Sequence, residues 1–361
     1  MKKYIRIVLA ALAAGTFCFA AAAKPRVVAT LFPYYDWTRE IIGSRADHIE
    51  LEAPLTAGVD LHSFQPSVDD ILRVSSCDLF IYTGGLSDAW VERVLRDPVN
   101  KKMLRLNMIA ALGERARAEE IVEGMEAGRH HGHEHADHDD HDKAHAHREH
   151  EEDLEHHEGE KDHEHEKAHD HHEHDKDHAH HDDEIEYDEH VWLSLVNARL
   201  LCGRIAETLC GLDPEGAAVY RANAAACIAR LDALHAQYRA AVAEAKQATL
   251  LFADRFPFRY LVDDYGLTYY AAFQGCSAES EASFKTVMFL AGKLKELQLP
   301  AVLTIEGSDK KIAQTVMRTA GRDLPILALD SMQSVQAGGA DGFDYMAVME
   351  RNLSVLKEAL K

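Results

Sequence analysis

The sequence lacks the features that mark several large classes of protein. Its 361 residues contain only six cysteines and no Cys-x-x-Cys pair, so neither a zinc ribbon nor a thioredoxin-like centre is indicated. The one His-Glu-x-x-His sequence, residues 165–169, lies within a run of histidine and acidic residues that shows no helical apolar pattern, so the signature of a common class of zinc protease is not supported. Basic residues number 39 against 61 acidic ones, and such a balance does not suit a nucleic-acid-binding surface.

Long apolar runs are also missing, except at the N-terminus, where basic residues precede an apolar segment that ends in Ala21-Ala22-Ala23. This pattern predicts a secretory signal peptide over residues 1–23 and therefore an exported, periplasmic or extracytoplasmic protein. A lipid anchor at Cys18 is the less favoured alternative, because Phe17 is not the small residue expected before it. The five remaining cysteines are an odd number, so at least one thiol has no partner within the chain.

Histidine and acid are concentrated in one segment. Twenty of the 24 histidines lie between His130 and His181, and residues 130–189 carry 25 acidic and five basic side chains. All but about −2 of the net charge of −22 therefore belongs to this segment. The stretch from about Glu126 to Glu186 has almost no apolar residues and is predicted to be a disordered insertion within a folded domain.

Strand-like and helix-like segments alternate on both sides of the insertion, as in α/β proteins with parallel sheets. We predict an N-terminal lobe over 24–212 and a C-terminal lobe over 247–361, each a mostly parallel sheet flanked by helices. One long, rigid helix over 213–246 is predicted to join them, because its apolar residues recur every three or four positions. Ser87 is predicted to cap the helix that follows it.

Three residues outside the insertion are candidate metal ligands. His62 and His190 each lie at the end of a predicted element, where open α/β sheets bind ligands. Each has a carboxylate close upstream, at Asp60 and at Asp188, which could accept the second ring N–H of a metal-bound histidine. Asp330 ends an apolar strand in the same way.

The chain resembles the solute-binding proteins of zinc and manganese ABC importers, the ZnuA-type group. The family has Asp-Pro-His motifs, which here read Asp-Leu-His-Ser-Phe-Gln-Pro-Ser over 60–67 and Asp-Glu-His-Val-Trp-Leu-Ser-Leu over 188–195. Its members often carry a histidine- and acid-rich loop between these motifs, and an aspartate at a strand end that corresponds to Asp330. The resemblance covers essentially the whole mature chain and implies a metal site at His62, His190 and Asp330.

Departures from the family pattern affect the prolines and the third ligand. Leu61 and Glu189 replace the prolines, which we expect to change local stiffness rather than ligand chemistry. Arg255 stands where the family has a histidine or glutamate, and a guanidinium has no lone pair for a metal. The third ligand could then be water, or one of four nearby side chains, while Arg255 could instead neutralise a carboxylate. The four candidates are Asp254, Cys276, Glu279 and Glu281.

The resemblance implies a monomeric, non-enzymatic protein that binds Zn²⁺ and passes it to the membrane permease of an ABC importer. Two imidazoles with carboxylates suit Zn²⁺ better than Mn²⁺, which prefers more oxygen ligands. The insertion is expected to collect zinc at low affinity and high capacity, because binding must order its chain. The alternatives are a manganese-binding protein of the same class, an extracellular zinc buffer or adhesin without a permease, and a metalloenzyme.

Overall fold

The structure is a computed structural model, and it describes residues 23–52, 59–126, 185–277, 281–334 and 344–361. Most of the predicted signal peptide, including Cys18, and residues 127–184 of the insertion lie outside the described residues. Within the described ranges, no helix combines the length and apolar character that crossing a bilayer requires.

The first part of the chain forms a four-stranded sheet covered by helices. Its elements are β1 (Arg26–Ala29), α1 (Phe32–Ile42), β2 (Glu50–Leu51), α2 (Val68–Ser76), β3 (Leu79–Tyr82), α3 (Ala89–Arg96), β4 (Leu104–Asn107), α4 (Met108–Leu112) and α5 (Leu195–Leu212). The strands lie in the order β2-β1-β3-β4, and every neighbouring pair is parallel.

The second part repeats this construction after a long helix. Its elements are α6 (Ala217–Ala243), β5 (Thr249–Phe256), α7 (Arg259–Tyr265), β6 (Thr268–Gln274), α8 (Phe284–Glu296), β7 (Val302–Ile305), α9 (Lys311–Ala320), β8 (Ile326–Leu329) and α10 (Tyr345–Ala359). The strands lie in the order β6-β5-β7-β8, again all parallel. The predicted α/β fold with two parallel sheets is confirmed.

The strands are apolar because both faces of each sheet are covered. In β1, Val27 and Ala29 belong to the largest hydrophobic core, whereas Val28 belongs to a separate core on the opposite face, and all three are fully buried. Side chains alternate between the faces of a strand, so burial on both faces removes the polar alternation expected of a half-exposed sheet.

Helix α6 is the long helix predicted between the two sheets. Its 27 residues span about 40 Å at 1.5 Å per residue. It packs against α1, α5 and α10, and its buried residues recur every three or four positions. They are Tyr220, Ala224, Cys227, Leu231, Leu234 and Tyr238.

Trp192 fixes the segment around His190 to the second sheet. Its indole Nε1–H donates to the carbonyl oxygen of Ser331 at 2.8 Å, and its own carbonyl accepts from the Tyr345 hydroxyl at 2.6 Å. Both Trp192 and Tyr345 are buried. The residues that follow His190 are thereby held next to the carboxyl end of β8, where Asp330 lies.

Candidate metal site

His62 lies in a short 3-10 turn whose backbone is capped by Asp60. The Asp60 carboxylate accepts the backbone N–H of His62 at 3.0 Å, so it does not hold the imidazole ring as the sequence had suggested. The ring contacts Ser87 instead, with 2.8 Å between Nδ1 and Oγ.

Ser87 is in turn held by Glu189. Its backbone N–H and its hydroxyl donate to the two carboxylate oxygens of Glu189, at 2.7 and 2.5 Å. Because the only hydroxyl proton of Ser87 is committed to Glu189, Oγ accepts from His62 and places the ring proton on Nδ1. The Nε2 atom of His62 therefore carries a lone pair and no proton.

This chain of contacts corrects two predictions. Ser87 does not cap the helix after it, since α3 begins at Ala89 and the Ser87 hydroxyl faces Glu189. Glu189 does more than change stiffness where the family has a proline, because its carboxylate orients the ring of His62 through Ser87. The sequence offered no signal for this, as 102 positions separate Ser87 and Glu189.

His190 is fully buried and is oriented by Asp188, as predicted. One oxygen of Asp188 accepts the backbone N–H of His190 at 2.8 Å and lies 2.9 Å from its Nδ1. A carboxylate on Nδ1 places the ring proton there and leaves Nε2 as a lone pair, the arrangement usual for metal-bound histidine.

The two lone pairs converge. The Nε2 atoms of His62 and His190 are 3.2 Å apart, although neither carries a proton to share. Burial lowers the pKa of His190 to about 4, and burial with the neighbouring His190 lowers the pKa of His62 to about 3, so a second proton is disfavoured on both rings. Two nitrogens on a tetrahedral zinc, each at about 2.0–2.1 Å, are about 3.3 Å apart. The pair is spaced for one metal ion.

Three carboxyl groups lie around the pair, those of the buried Asp188 and Glu189 and of the half-buried Glu119. Burial raises the pKa of Glu119, Asp188 and Glu189 to about 7 in each case. Carboxylates that are held in a poorly solvated site lose stability unless a cation compensates them. A divalent cation at the two Nε2 atoms would supply that charge.

Glu119 reaches the site because the chain pairs with itself on the two sides of the insertion. Ala118 and Tyr187 form an antiparallel bridge, and Glu119 donates its N–H to the carbonyl of Glu186 at 2.9 Å. This pairing places Glu119 with Asp188 and His190, in one of two groups among the described residues that could hold a metal. Glu119 could not be predicted from the sequence, since no local motif marks it.

The other such group is His62, His190 and Cys276, whose ligand atoms all lie within 4.8 Å of one another. Cys276 follows β6, and its Sγ–H donates to a carboxylate oxygen of Glu119 at 3.1 Å. Gly275 lies directly against His190, because a Cβ at this position would be 2.7 Å from the ring carbon Cε1. The loop after β6 therefore forms one wall of the histidine site.

Arg255 lies in β5 and holds Asp60. Its guanidinium is 2.8 Å from Asp60 Oδ2, and this partner outweighs the effect of burial and lowers the Asp60 pKa. A cavity of about 400 Å³ opens beside this ion pair and is also lined by Asp254 and Glu306. Of the alternatives left open for Arg255, neutralisation of a carboxylate is the one this contact matches.

Asp330 is placed next to the site but outside both groups. Its carboxylate accepts the backbone N–H of Met332 at 2.9 Å, and its backbone is held by Asn352. Gln333, three residues on, has its amide nitrogen 3.5 Å from His62 Nε2. The assignment of Asp330 as a ligand stays a prediction.

The other candidates for the third ligand differ in position. Asp254 accepts the backbone N–H of Arg255 at 2.8 Å, and a second oxygen lies 3.5 Å from the backbone nitrogen of Ile305. Glu281 is exposed, and Glu279 lies outside the described residues. Among the described candidates, Cys276 is the one grouped with both histidines.

Comparison with known proteins gives consistent results. The family model "Zinc-uptake complex component A periplasmic" matches residues 27–359. The zinc-binding protein AdcA of Streptococcus pyogenes serotype M3 is 29% identical over 338 residues, covering 93% of this chain and 56% of AdcA. The high-affinity zinc uptake system protein ZnuA of Bacillus subtilis is 26% identical over 338 residues, covering 93% and 88%. The chain thus spans little more than half the length of AdcA.

Solved structures share the fold. The Zn(II)-bound ZnuA-like domain of Streptococcus pneumoniae AdcA matches with a TM-score of 0.62 at 23% identity, over 93% of this chain and 99% of that domain. The periplasmic zinc-binding protein TroA from Treponema pallidum matches with a TM-score of 0.65 at 19% identity, over 93% and 99%. At these identities the likeness establishes the architecture.

Proposed function

Because the chain belongs to the family of periplasmic zinc-uptake complex A components, we propose that it binds Zn²⁺ outside the cytoplasm and delivers it to the membrane permease of an ABC importer. The family consists of solute-binding proteins rather than enzymes. The observation that carries the proposal is the pair of Nε2 lone pairs of His62 and His190, held 3.2 Å apart by separate hydrogen-bond networks.

Zinc fits this pair better than manganese. Imidazole nitrogens are ordinary zinc ligands, whereas Mn²⁺ prefers carboxylate, carbonyl and water oxygens. Asp330 is proposed as the oxygen ligand from the second sheet, to be reached when metal binding draws the loop after β8 inward. Trp192 and Ser331 already link the His190 segment to that loop, so a local rearrangement suffices.

We also propose that the chain is organised as lobes over 24–212 and 247–361 with a connecting helix over 213–246. A helix of 27 residues that packs along its length on α1, α5 and α10 resists bending. Large lobe motions are then disfavoured, and release of the ion occurs through the loops that carry its ligands.

The insertion is proposed to collect zinc for the fixed site. Its 20 histidines and surplus of acidic residues offer many ligands and an attractive field for cations, which salt screens. Because each binding event must order chain at about 1–2 kcal/mol per residue, single ions bind weakly there. The segment therefore adds capacity, and the fixed site adds affinity.

Zinc titration of the full chain and of a variant that lacks residues 130–181 tests this division. The full chain should bind one ion tightly and several weakly, and the deletion variant should keep only the tight ion. If the tight ion vanished with the segment, or if the stoichiometry did not fall, the division of roles would be wrong. The test for delivery is zinc-limited growth of cells that depend on this chain, with and without His62→Ala.

A further inference from the structure

The histidine pair needs another donor, and three segments that are distant in sequence bring one sulfur to it. Sγ of Cys276 lies within 4.8 Å of a ring nitrogen of both His62 and His190. The three side chains come from the turn at 61–63, the segment before α5 and the loop after β6. The three side chains are therefore brought together by the fold and not by a local sequence motif.

The position of Cys276 is fixed by its neighbours. Gly275 leaves room for the His190 ring, and Phe273 in β6 pairs with Glu126 at the edge of the second sheet. Glu119 accepts the S–H hydrogen bond at 3.1 Å. A carboxylate beside the thiol gives its proton an acceptor when a metal displaces it.

Arg255 cannot take the third position, since its guanidinium has no lone pair and is bound to Asp60. The carboxylate of Asp254 faces backbone nitrogens of Arg255 and Ile305. Asp330 is outside both metal-capable groups of the described residues. Of the described candidates for the third ligand, Cys276 is thus the one whose donor atom lies with those of both histidines.

We infer that Cys276 is a protein ligand of the transported zinc, giving a site of two imidazole nitrogens and one thiolate sulfur. This inference rests on the proposed function of the same site. Zinc binding forms the Zn–S bond and expels the thiol proton, which leaves through Glu119 to solvent. The fourth position is left for Asp330 or a water molecule.

A thiolate makes the site softer than a set of nitrogen and oxygen ligands. Thiolates favour zinc over manganese, and they hold zinc at about 2.3 Å. Cys276 is then a determinant of metal selectivity. Its thiolate favours zinc over manganese, as a third histidine at the site would. The expected signature is a preference for Zn²⁺ over Mn²⁺ that depends on this one sulfur.

Cobalt(II) titration of the full chain tests the sulfur directly, because a Co–thiolate bond absorbs in the near ultraviolet and imidazole or carboxylate ligation does not. The band can be assigned in the full chain, since residues 130–181 contain no cysteine. The native chain should show the band, and Cys276→Ser should lose it and bind zinc at least about 100-fold more weakly. Cys210→Ser is the matched control, because this half-buried thiol donates to Ala217 and has no part in the site.

Two further measurements separate the outcomes. His62→Ala should lose the tight ion; if it kept native affinity, the proposed function would fail. If His62→Ala lost the ion while Cys276→Ser kept both the band and the affinity, only the thiolate would be wrong. Should Cys276→Ser fold poorly, alkylation of the native chain decides: zinc should protect Cys276 and leave Cys210 unprotected, and equal labelling with and without zinc would overturn the inference.

Discussion

The Nε2 atoms of His62 and His190 face each other at 3.2 Å, and each ring carries its proton on the opposite nitrogen. Two lone pairs at this distance repel each other unless something positive lies between them. Protonation is disfavoured by burial, which lowers the pKa of both rings. A metal ion is the remaining cation of suitable size.

Replacing either histidine should abolish tight zinc binding. His62→Ala and His190→Ala each remove one nitrogen ligand and should weaken zinc at least about 100-fold, measured by competition with a chelator. His235→Ala is the control, because His235 contacts the Tyr265 hydroxyl and takes no part in the site. If His235→Ala weakened binding as much, the measured zinc would not be at the histidine pair.

Ser87→Ala should weaken zinc binding without removing a ligand. The change takes away the oxygen that holds Nδ1 of His62 and leaves Glu189 with fewer donors, so the ring loses its orientation. Loss of such an outer contact typically costs about 10–100-fold in metal affinity. Ser354→Ala, at an exposed serine of α10, should leave the affinity unchanged. Native affinity in Ser87→Ala would contradict the assigned hydrogen-bond chain.

Gly275→Ala should displace the His190 ring. The added Cβ would be 2.7 Å from Cε1 and 2.9 Å from the Phe256 carbonyl oxygen, both closer than real contacts allow. Zinc affinity and stability should both fall. Gly292→Ala in α8 meets nothing within 4 Å and should stabilise the helix by about 0.5–1 kcal/mol. Chemical denaturation of both variants, with and without zinc, gives the comparison.

Lower pH should remove the weakly bound ions before the tight one. The histidines of the insertion protonate near an ordinary pKa of about 6.5, so their zinc capacity should fall between about pH 7.5 and 5.5. The pKa of His62 and of His190 is lowered by burial to about 3 and about 4, so these rings keep their lone pairs at pH values where the others have lost theirs. Zinc stoichiometry measured by equilibrium dialysis across this range should fall from several ions to one. Simultaneous loss of all ions would contradict the separation of sites.

The sequence was sufficient for the fold, and it singled out the two histidines that the structure brings together, whose role as ligands stays a prediction. Apolar strands alternate with amphipathic helices, and Asp188 lies two residues before the ring it orients, so both patterns are local. Contacts between residues that are distant in sequence could not be predicted from such local patterns. Ser87 meets Glu189 across 102 positions, and Cys276 meets Glu119 across 157. Such contacts arise where loops from different strands meet, and no periodicity reports them. The site departs from its family at two positions that the sequence does show. Glu189 stands where the family has a proline, and Arg255 stands where it has a histidine or glutamate.

Anomalous scattering at the zinc edge from a zinc-bound crystal of this protein would show which side chains hold the ion. We expect one ordered zinc at about 2.0–2.1 Å from Nε2 of both His62 and His190 and at about 2.3 Å from Sγ of Cys276. An ordered zinc bound elsewhere, with the two Nε2 atoms still facing each other and no ion between them, would contradict this expectation.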